Sequence, residues 1–142
     1  MAFRPLDAPY DENNPFARIL RDELPASRVF EDEEVLVIMP LQWEHPGHAL
    51  VIPKWPVRHL LDMTREEMGR VLHLATRVGI AQQQALGATG FSILQNNGRD
   101  QAVGHVHFHV IPNTERVPQN PVPRSELDRM AKQLSAAFPT DA

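Results

Sequence analysis

The sequence predicts an α+β fold, in which helices pack on an antiparallel sheet. Three observations predict this class. Short apolar segments follow one another closely in the first half of the chain, and short connections of this kind favour antiparallel pairing. Residues 64–86 place apolar side chains at helical spacing, which predicts one long helix. Residues 125–138 repeat that spacing and predict a C-terminal helix.

The composition sets limits on the class of protein. The chain has 142 residues, which suits one domain with a core large enough to fold alone. It contains no cysteine, so disulfides, thiolate zinc sites and a cysteine nucleophile are excluded. Its net charge of −4 argues against a nucleic-acid-binding surface, which is usually basic.

The apolar segments are too short for a membrane protein. None approaches the roughly 20 residues that cross a bilayer. Residues 1–14 also lack the apolar core of a secretory signal. We therefore expect a cytoplasmic protein, with neither nucleic acid nor membrane as a partner.

Helix and strand signals divide the chain in order. Residues 1–13 are polar and contain prolines, and we predict a mobile tail there. Asn14 as N-cap and Pro15 at the first helical position predict a short helix that ends near Arg21. The predicted strands that follow are residues 27–31, 34–39, 48–53, 91–95 and 104–111.

The two longer helices have their own start signals and packing choices. Thr64 and Glu67 form the sequence of a capping box, so the long helix begins there. Gly79 lies within it and would allow either close approach of a partner helix or packing on the sheet. Residues 113–142 are predicted to form a proline-rich loop and a C-terminal helix that packs on the same domain.

Three histidines alternate with apolar residues near the end of the predicted sheet. His105, His107 and His109 lie in the segment 104–111, where every second residue is apolar. Side chains on a strand alternate between its two faces, so the three imidazoles should share one face, with neighbours about 7 Å apart. Such a row can line one small ligand.

The row of imidazoles allows three interpretations. It can be a solvated strand face. It can be a metal site, because neutral imidazole binds zinc, copper and nickel, although no acidic residue in the strand completes the ligand set. It can also serve phosphate chemistry, because imidazole acts as nucleophile, proton donor and hydrogen-bond donor near neutral pH. We favour the third interpretation.

Two further features lie outside this strand. The loop 96–101 has a sequence that permits tight backbone geometry, and its exposed amides can face an anion. His48 starts another predicted strand. Taken alone, a histidine in that position is more often a surface or structural residue than a functional one.

Several motifs together resemble those of a known family. Residues 105–111 resemble the histidine-triad (HIT) signature, in which three histidines alternate with apolar residues. Residues 46–54, Pro-Gly-His-Ala-Leu-Val-Ile-Pro-Lys, resemble a second block of the same family. Residues 14–20, followed by Leu-Pro-Ala at 24–26, resemble the entry helix of its Hint-like branch. On these motifs, residues 14–112 are identified as a HIT domain.

The resemblance implies both a fold and a chemistry. It implies a five-stranded antiparallel sheet, a homodimer, a nucleotide substrate, and hydrolysis or transfer with neither metal nor cofactor. His107 would attack the α-phosphorus and form a nucleotidyl-histidine, from which water releases a nucleoside monophosphate. His109 would hydrogen-bond a phosphate oxygen, while His105 and His48 would tune His107 or relay protons. The predicted nucleotide-binding residues are Asn96, Gln101, Phe16, Ile19 and Leu41.

The sequence also departs from the family pattern around the predicted site. Pro40 stands where many Hint-branch members have an acidic residue that holds the ribose hydroxyls. Ala102 replaces a serine or threonine, and Asp100 replaces a glycine in a loop that is about two residues shorter than usual. The Cys-x-x-Cys pair of zinc-bearing relatives is absent.

These observations allow several functions. The first is a hydrolase of nucleoside phosphoramidates or related nucleoside monophosphate conjugates, acting at the α-phosphate. A dinucleoside polyphosphate hydrolase is the same chemistry with a larger leaving group. A nucleotide-binding protein with little turnover is supported by Pro40, Ala102 and Asp100. A metal-binding module is the remaining alternative.

Overall fold

The computed structural model describes residues 5–141 and contains one five-stranded antiparallel sheet. The strand order is β1-β2-β3-β5-β4. This confirms the predicted α+β class. The strands are β1 (Arg28–Glu31), β2 (Val35–Ile38), β3 (Ala49–Pro53), β4 (Phe91–Leu94) and β5 (Phe108–Pro112). The helices are α1 (Pro15–Leu20), α2 (Arg65–Leu86) and α3 (Arg124–Ala136), with short 3-10 helices at Pro5–Asp7 and Leu60–Asp62.

The helix starts follow the predicted capping residues. The side chain of Asn14 accepts a hydrogen bond from the Ala17 backbone amide, 2.9 Å away. Thr64 and Glu67 form both hydrogen bonds of the capping box. Because capping groups satisfy amides that a helix leaves unpaired, these residues fix where α1 and α2 begin.

The two faces of the sheet are covered differently. Apolar side chains alternate along the strands, so that Val37, Val51 and Val110 point to the side of α2 and α3 and belong to the main core. The intervening side chains point to the side of α1, where they form a smaller apolar cluster. That cluster consists of Phe16, Ile19, Leu36, Ile38, Leu50 and Ile52. His109 alternates with Val110 and therefore lies on the α1 side.

The predicted histidine strand is too long at its start, which is a correction. The observed strand β5 begins at Phe108, so His105 and His107 precede it. The neighbouring strand β3 ends at Pro53, and proline has no amide hydrogen to continue the ladder. The Val106 amide instead donates to the carbonyl of Val57.

Buried contacts attach α2 to the sheet. The Gln82 side-chain amide donates to the carbonyls of Gly47 and Val110, at 3.1 and 2.9 Å. A Cβ atom at Gly79 would lie 2.4 Å from the ring of Phe91. Gly79 therefore packs on the sheet rather than allowing the close approach of a partner helix.

Segments at both ends of the chain lie against the domain. The Tyr10 hydroxyl contacts His105, and the Leu6 carbonyl accepts a hydrogen bond from His59. Mobility of residues 1–13 stays a prediction. Near the C-terminus, the Val122 amide donates to the carbonyl of Leu41, which brings the start of α3 beside the segment after β2. Within the described residues, no helix is long and apolar enough to cross a membrane.

Candidate active site

Three histidines meet where β3 and β5 run side by side. The rings of His107 and His109 lie 5.1 Å apart, and so do those of His48 and His109. His109 pairs with Leu50 across the two strands, while His48 directly precedes β3. The fold thus brings His48, a residue of a separate motif, into the histidine cluster.

The backbone determines which nitrogen of His107 carries the proton. Nδ1 of His107 lies 2.8 Å from the carbonyl oxygen of His105. Because a carbonyl only accepts, Nδ1 carries the hydrogen and Nε2 keeps its lone pair. Burial lowers the pKa of His107 to about 4. The ring is therefore neutral at pH 7, with an available nucleophilic nitrogen.

A chain of hydrogen bonds orients His109 in the opposite sense. The Glu44 amide donates to Nδ1 of His48 at 3.1 Å, so His48 carries its hydrogen on Nε2. Nε2 of His48 lies 2.9 Å from Nδ1 of His109 and donates to it. His109 must then carry its own hydrogen on Nε2. It offers a donor beside the nucleophilic nitrogen of His107.

Burial keeps the histidine rings in this series of hydrogen bonds neutral. It lowers the pKa of His48 to about 3, with smaller contributions from the neighbouring His109 and His45. It also lowers the pKa of His109. Neutral rings are required for the tautomers just assigned, because an imidazolium would donate from both nitrogens.

His105 is fully buried behind the other histidines. Its Nε2 lies 2.7 Å from the carbonyl of Pro53, and its Nδ1 lies 2.7 Å from the hydroxyl of Tyr10. The carbonyl accepts, so Nε2 carries the hydrogen and Nδ1 accepts from Tyr10. Both ring nitrogens are used, and His105 reaches His107 through its backbone carbonyl. The predicted tuning or relay role stays a prediction, and this geometry favours tuning.

A cavity of about 500 Å³ between α1 and the sheet opens on His107 and His109. The predicted residues Phe16, Ile19 and Leu41 all line it, and the edge of the Phe16 ring meets His107 with a centroid distance of 4.9 Å. The remaining lining residues are Pro15, Leu24, Pro25, Ala26, Ile38, Met39, Pro40, Leu50, Ala102, Val103 and Arg124.

The predicted phosphate contacts Asn96 and Gln101 do not line this cavity. The Gln101 amide nitrogen donates to the carbonyls of Arg58 and Val103, and its oxygen accepts from the Gly98 amide. Gln101 therefore holds the loop before the histidines in shape. Contact of Asn96 and Gln101 with a nucleotide stays a prediction.

Asp100 does not oppose an anion in the cavity. Its side chain is exposed, lies 3.4 Å from the Arg99 guanidinium and is absent from the cavity wall. Asp100 therefore adds no negative charge to the cavity wall. Pro40 and Ala102, in contrast, both contribute to the cavity wall.

Arg124 is a cavity residue that sequence reasoning missed. It is the first residue of α3, and its Nη1 donates to Ser27 Oγ at 3.0 Å. The C-terminal helix was predicted, but nothing in the local sequence indicates that its first turn reaches the cavity. The contact between Val122 and Leu41 brings it there.

A larger cleft of about 720 Å³ lies around Leu86 and Asn113, and of the seven histidines it includes His45 alone. Across residues 5–141, no group of three ligating side chains is arranged to hold a metal ion. The cavity at His107 and His109 is therefore the candidate active site.

Comparison with known proteins identifies the family. A model of the HIT domain matches residues 21–116, more than half of the chain. The chain therefore belongs to the HIT family. It is 34% identical over 125 residues to an uncharacterized HIT-like protein of Methanocaldococcus jannaschii, covering 84% of this chain and 96% of that protein.

Solved structures and named relatives agree with this family. A HIT-like protein of Bartonella henselae described as involved in cell-cycle regulation has a TM-score of 0.86 and 38% identity, over 92% of this chain and 100% of that one. A zinc-bound histidine triad family protein of Mycobacterium smegmatis has a TM-score of 0.75 and 30% identity, over 86% and 90%. An adenosine 5′-monophosphoramidase of Schizosaccharomyces pombe is 29% identical over 85% of this chain and 95% of that protein.

The buried histidines predict a pH dependence of stability. Because the folded pKa values of His107 and His48 are about 4 and about 3, against an ordinary 6.5, the unfolded chain binds more protons between these values. Stability must then fall as the pH drops below about 6.5, and the loss continues to about pH 4 for His107 and to about pH 3 for His48. Thermal unfolding between pH 7 and pH 4.5 measures this loss.

A matched histidine provides the control for this experiment. His73 is exposed on α2, so His73→Gln should keep the full pH dependence. His48→Asn, which removes a buried titrating ring, should reduce it. An unfolding temperature that stays constant from pH 7 to pH 4.5 would contradict the assignment of neutral buried rings.

Proposed function

We propose that this protein is a nucleotide hydrolase that cleaves at the α-phosphate through a nucleotidyl intermediate on His107. One observation carries the proposal: a nucleophilic nitrogen and a hydrogen-bond donor lie on neighbouring rings in the wall of an apolar cavity. The nitrogen is Nε2 of His107, and the donor is Nε2–H of His109. The cavity volume lies within the range of small-molecule sites.

The reaction proceeds in two displacements. In the first, the Nε2 lone pair of His107 forms a bond to phosphorus, and the leaving group departs with its bonding electron pair and takes a proton from solvent. In the second, water attacks phosphorus and releases a proton to solvent, the P–N bond breaks, and its electron pair returns to Nε2. The products are a nucleoside monophosphate and the protonated leaving group. Each step is easier than a single attack by water.

His109 acts on the phosphate rather than on the nucleophile. Its Nε2–H donates to a non-bridging oxygen, on which negative charge increases in the transition state. A donor that is already oriented needs little reorganisation energy during the reaction, and the buried surroundings strengthen its electrostatic effect. The hydrogen bond from His48 provides this orientation.

Nucleoside phosphoramidates are the substrate class that we favour. Support comes from two related proteins, one of Schizosaccharomyces pombe and one of Saccharomyces cerevisiae. Both are named adenosine 5′-monophosphoramidase, and both are 29% identical to this chain. Dinucleoside polyphosphate hydrolysis is the second candidate, because the same attack serves a larger leaving group.

Rates on two substrates test the proposal. We expect kcat/KM to be higher for adenosine 5′-phosphoramidate than for diadenosine tetraphosphate. The reverse order would favour the second candidate. If AMP binds tightly but neither substrate is cleaved over hours, the protein is a nucleotide-binding protein instead.

We also propose that the protein is a homodimer formed through β4. This strand ends the sheet, and its four residues are all exposed, including Phe91, Ile93 and Leu94. An exposed apolar edge strand favours pairing with another chain. A second copy of β4, related by a twofold axis, would extend the sheet and bury these side chains.

The mass in solution tests this dimer. Light scattering after size-exclusion chromatography should give twice the mass of one chain. Ile93→Lys should give a monomer, because a lysine would then lie in the interface. Lys132→Ala on the exposed side of α3 is the control and should leave the dimer intact. A monomeric wild-type protein at tens of micromolar concentration contradicts the proposal.

A further inference from the structure

Arg124 is the one residue on the wall of the histidine cavity with a permanently charged side chain, among the residues that the structure describes. Its guanidinium donates to Ser27 Oγ, and the Ser27 hydroxyl donates in turn to Asp128, at 2.6 Å. Ser27 is buried, so it is a fixed support. Within residues 5–141, no carboxylate forms an ion pair with Arg124, so its charge is available to a ligand.

The sheet separates Arg124 from the histidines. His109 on β5 pairs with Leu50 on β3, and Leu50 pairs with Ile38 on β2. Beyond β2, the Met39 amide donates to the backbone carbonyl of Ser27. The hydroxyl of the same serine accepts the hydrogen bond from Arg124. Neighbouring strands lie about 4.8 Å apart, so this path spans two to three strands, roughly 10–14 Å.

The cavity therefore has two polar ends with an apolar wall between them. His107 and His109 line the cavity from the side of β5, and Arg124 lines it from the side of Ser27, beyond β2. A ligand that fits both ends carries an anionic group at each. A planar guanidinium matches a phosphate particularly well, because it donates two parallel hydrogen bonds.

We propose that the cavity takes a nucleotide with a second phosphate on its ribose, at the 2′ or the 3′ position, and that Arg124 binds it. With the reacting phosphate at the histidines, the nucleoside extends across the sheet towards Arg124. The base is uncharged at neutral pH and suits the apolar wall around Phe16 and Ile19. The ribose hydroxyls are the positions that can carry the second anion.

This inference rests on the proposed function only in placing a nucleotide phosphate at His107, and binding alone tests it. Calorimetry should compare AMP with adenosine 2′,5′-bisphosphate and adenosine 3′,5′-bisphosphate. For the wild-type protein, one of the bisphosphates should have a Kd about tenfold lower than that of AMP, as expected for one charge-assisted contact. The preferred isomer identifies the position of the second phosphate.

Variants of Arg124 separate its charge from its shape. Arg124→Ala should remove the preference, so that AMP and both bisphosphates bind with similar Kd values. Arg124→Lys should keep part of it, because lysine retains the charge but not the paired donors. Arg129→Ala is the matched control, since Arg129 lies on the same helix, pairs with Glu126 and is absent from the cavity wall.

Two results would overturn the inference. One is equal affinity of the wild-type protein for AMP and both bisphosphates. The other is a preference that survives in Arg124→Ala. The hydrolysis proposal fails separately: if no phosphoramidate is cleaved but the preference depends on Arg124, the inference stands without it.

Discussion

His107→Ala should lower kcat by about 10⁴-fold or more, while the protein stays folded and still binds AMP. The reason is that Nε2 of His107 is the nitrogen whose lone pair faces the cavity. In His109, the corresponding nitrogen carries a hydrogen. No neighbouring ring can therefore replace the lost nucleophile without changing its tautomer.

Steady-state kinetics with adenosine 5′-phosphoramidate measure this loss. Circular dichroism and AMP binding show whether the variant is folded with an intact cavity. His73→Ala, at an exposed position of α2, is the control and should retain wild-type turnover. Turnover of His107→Ala within tenfold of the wild-type value would exclude His107 as the nucleophile.

His109→Ala should lower kcat by about 10²- to 10³-fold and change KM little, because its donor acts mainly on charge that develops in the transition state. His48→Ala should have a smaller effect, since His48 acts by orienting His109 through a 2.9 Å hydrogen bond. Steady-state kinetics with adenosine 5′-phosphoramidate give kcat and KM for both variants.

A double-mutant cycle tests whether His48 and His109 act together through this hydrogen bond or contribute to kcat independently. If His48 acts through His109, removing His48 from the His109→Ala variant should change kcat very little. Additive losses in kcat would instead mean that His48 contributes by a route of its own. The cycle thus tests the tautomer assignment that places the hydrogen on Nε2 of His109.

Local sequence patterns predicted the helix starts and the strand face on which His109 lies. Asn14 and Thr64 begin their helices because side-chain oxygens beside helix starts satisfy free amides. The alternation around His109 placed it on one face of the strand because side chains on a strand have a period of two. The length of that strand was overestimated at its start, because the neighbouring strand ends at Pro53 and offers no further amide to the ladder.

Contacts between distant segments could not be predicted from local patterns. Tyr10 and His105 are 95 residues apart in sequence, yet the Tyr10 hydroxyl lies at hydrogen-bond distance from Nδ1 of His105. Arg124 reaches the cavity only because the loop before α3 pairs with Leu41. Phe16, Ile19 and Leu41, which the family resemblance predicted as nucleotide-binding residues, line the cavity, and their contact with a nucleotide stays a prediction.

The stereochemistry at phosphorus tests the central claim, a covalent intermediate on His107, most directly. A nucleoside phosphorothioate amide of known configuration would be hydrolysed in ¹⁸O-labelled water, and the configuration of the product would be determined. Each displacement inverts phosphorus, so attack by His107 followed by attack by water predicts overall retention. Overall inversion would show a single direct attack by water and would contradict the account.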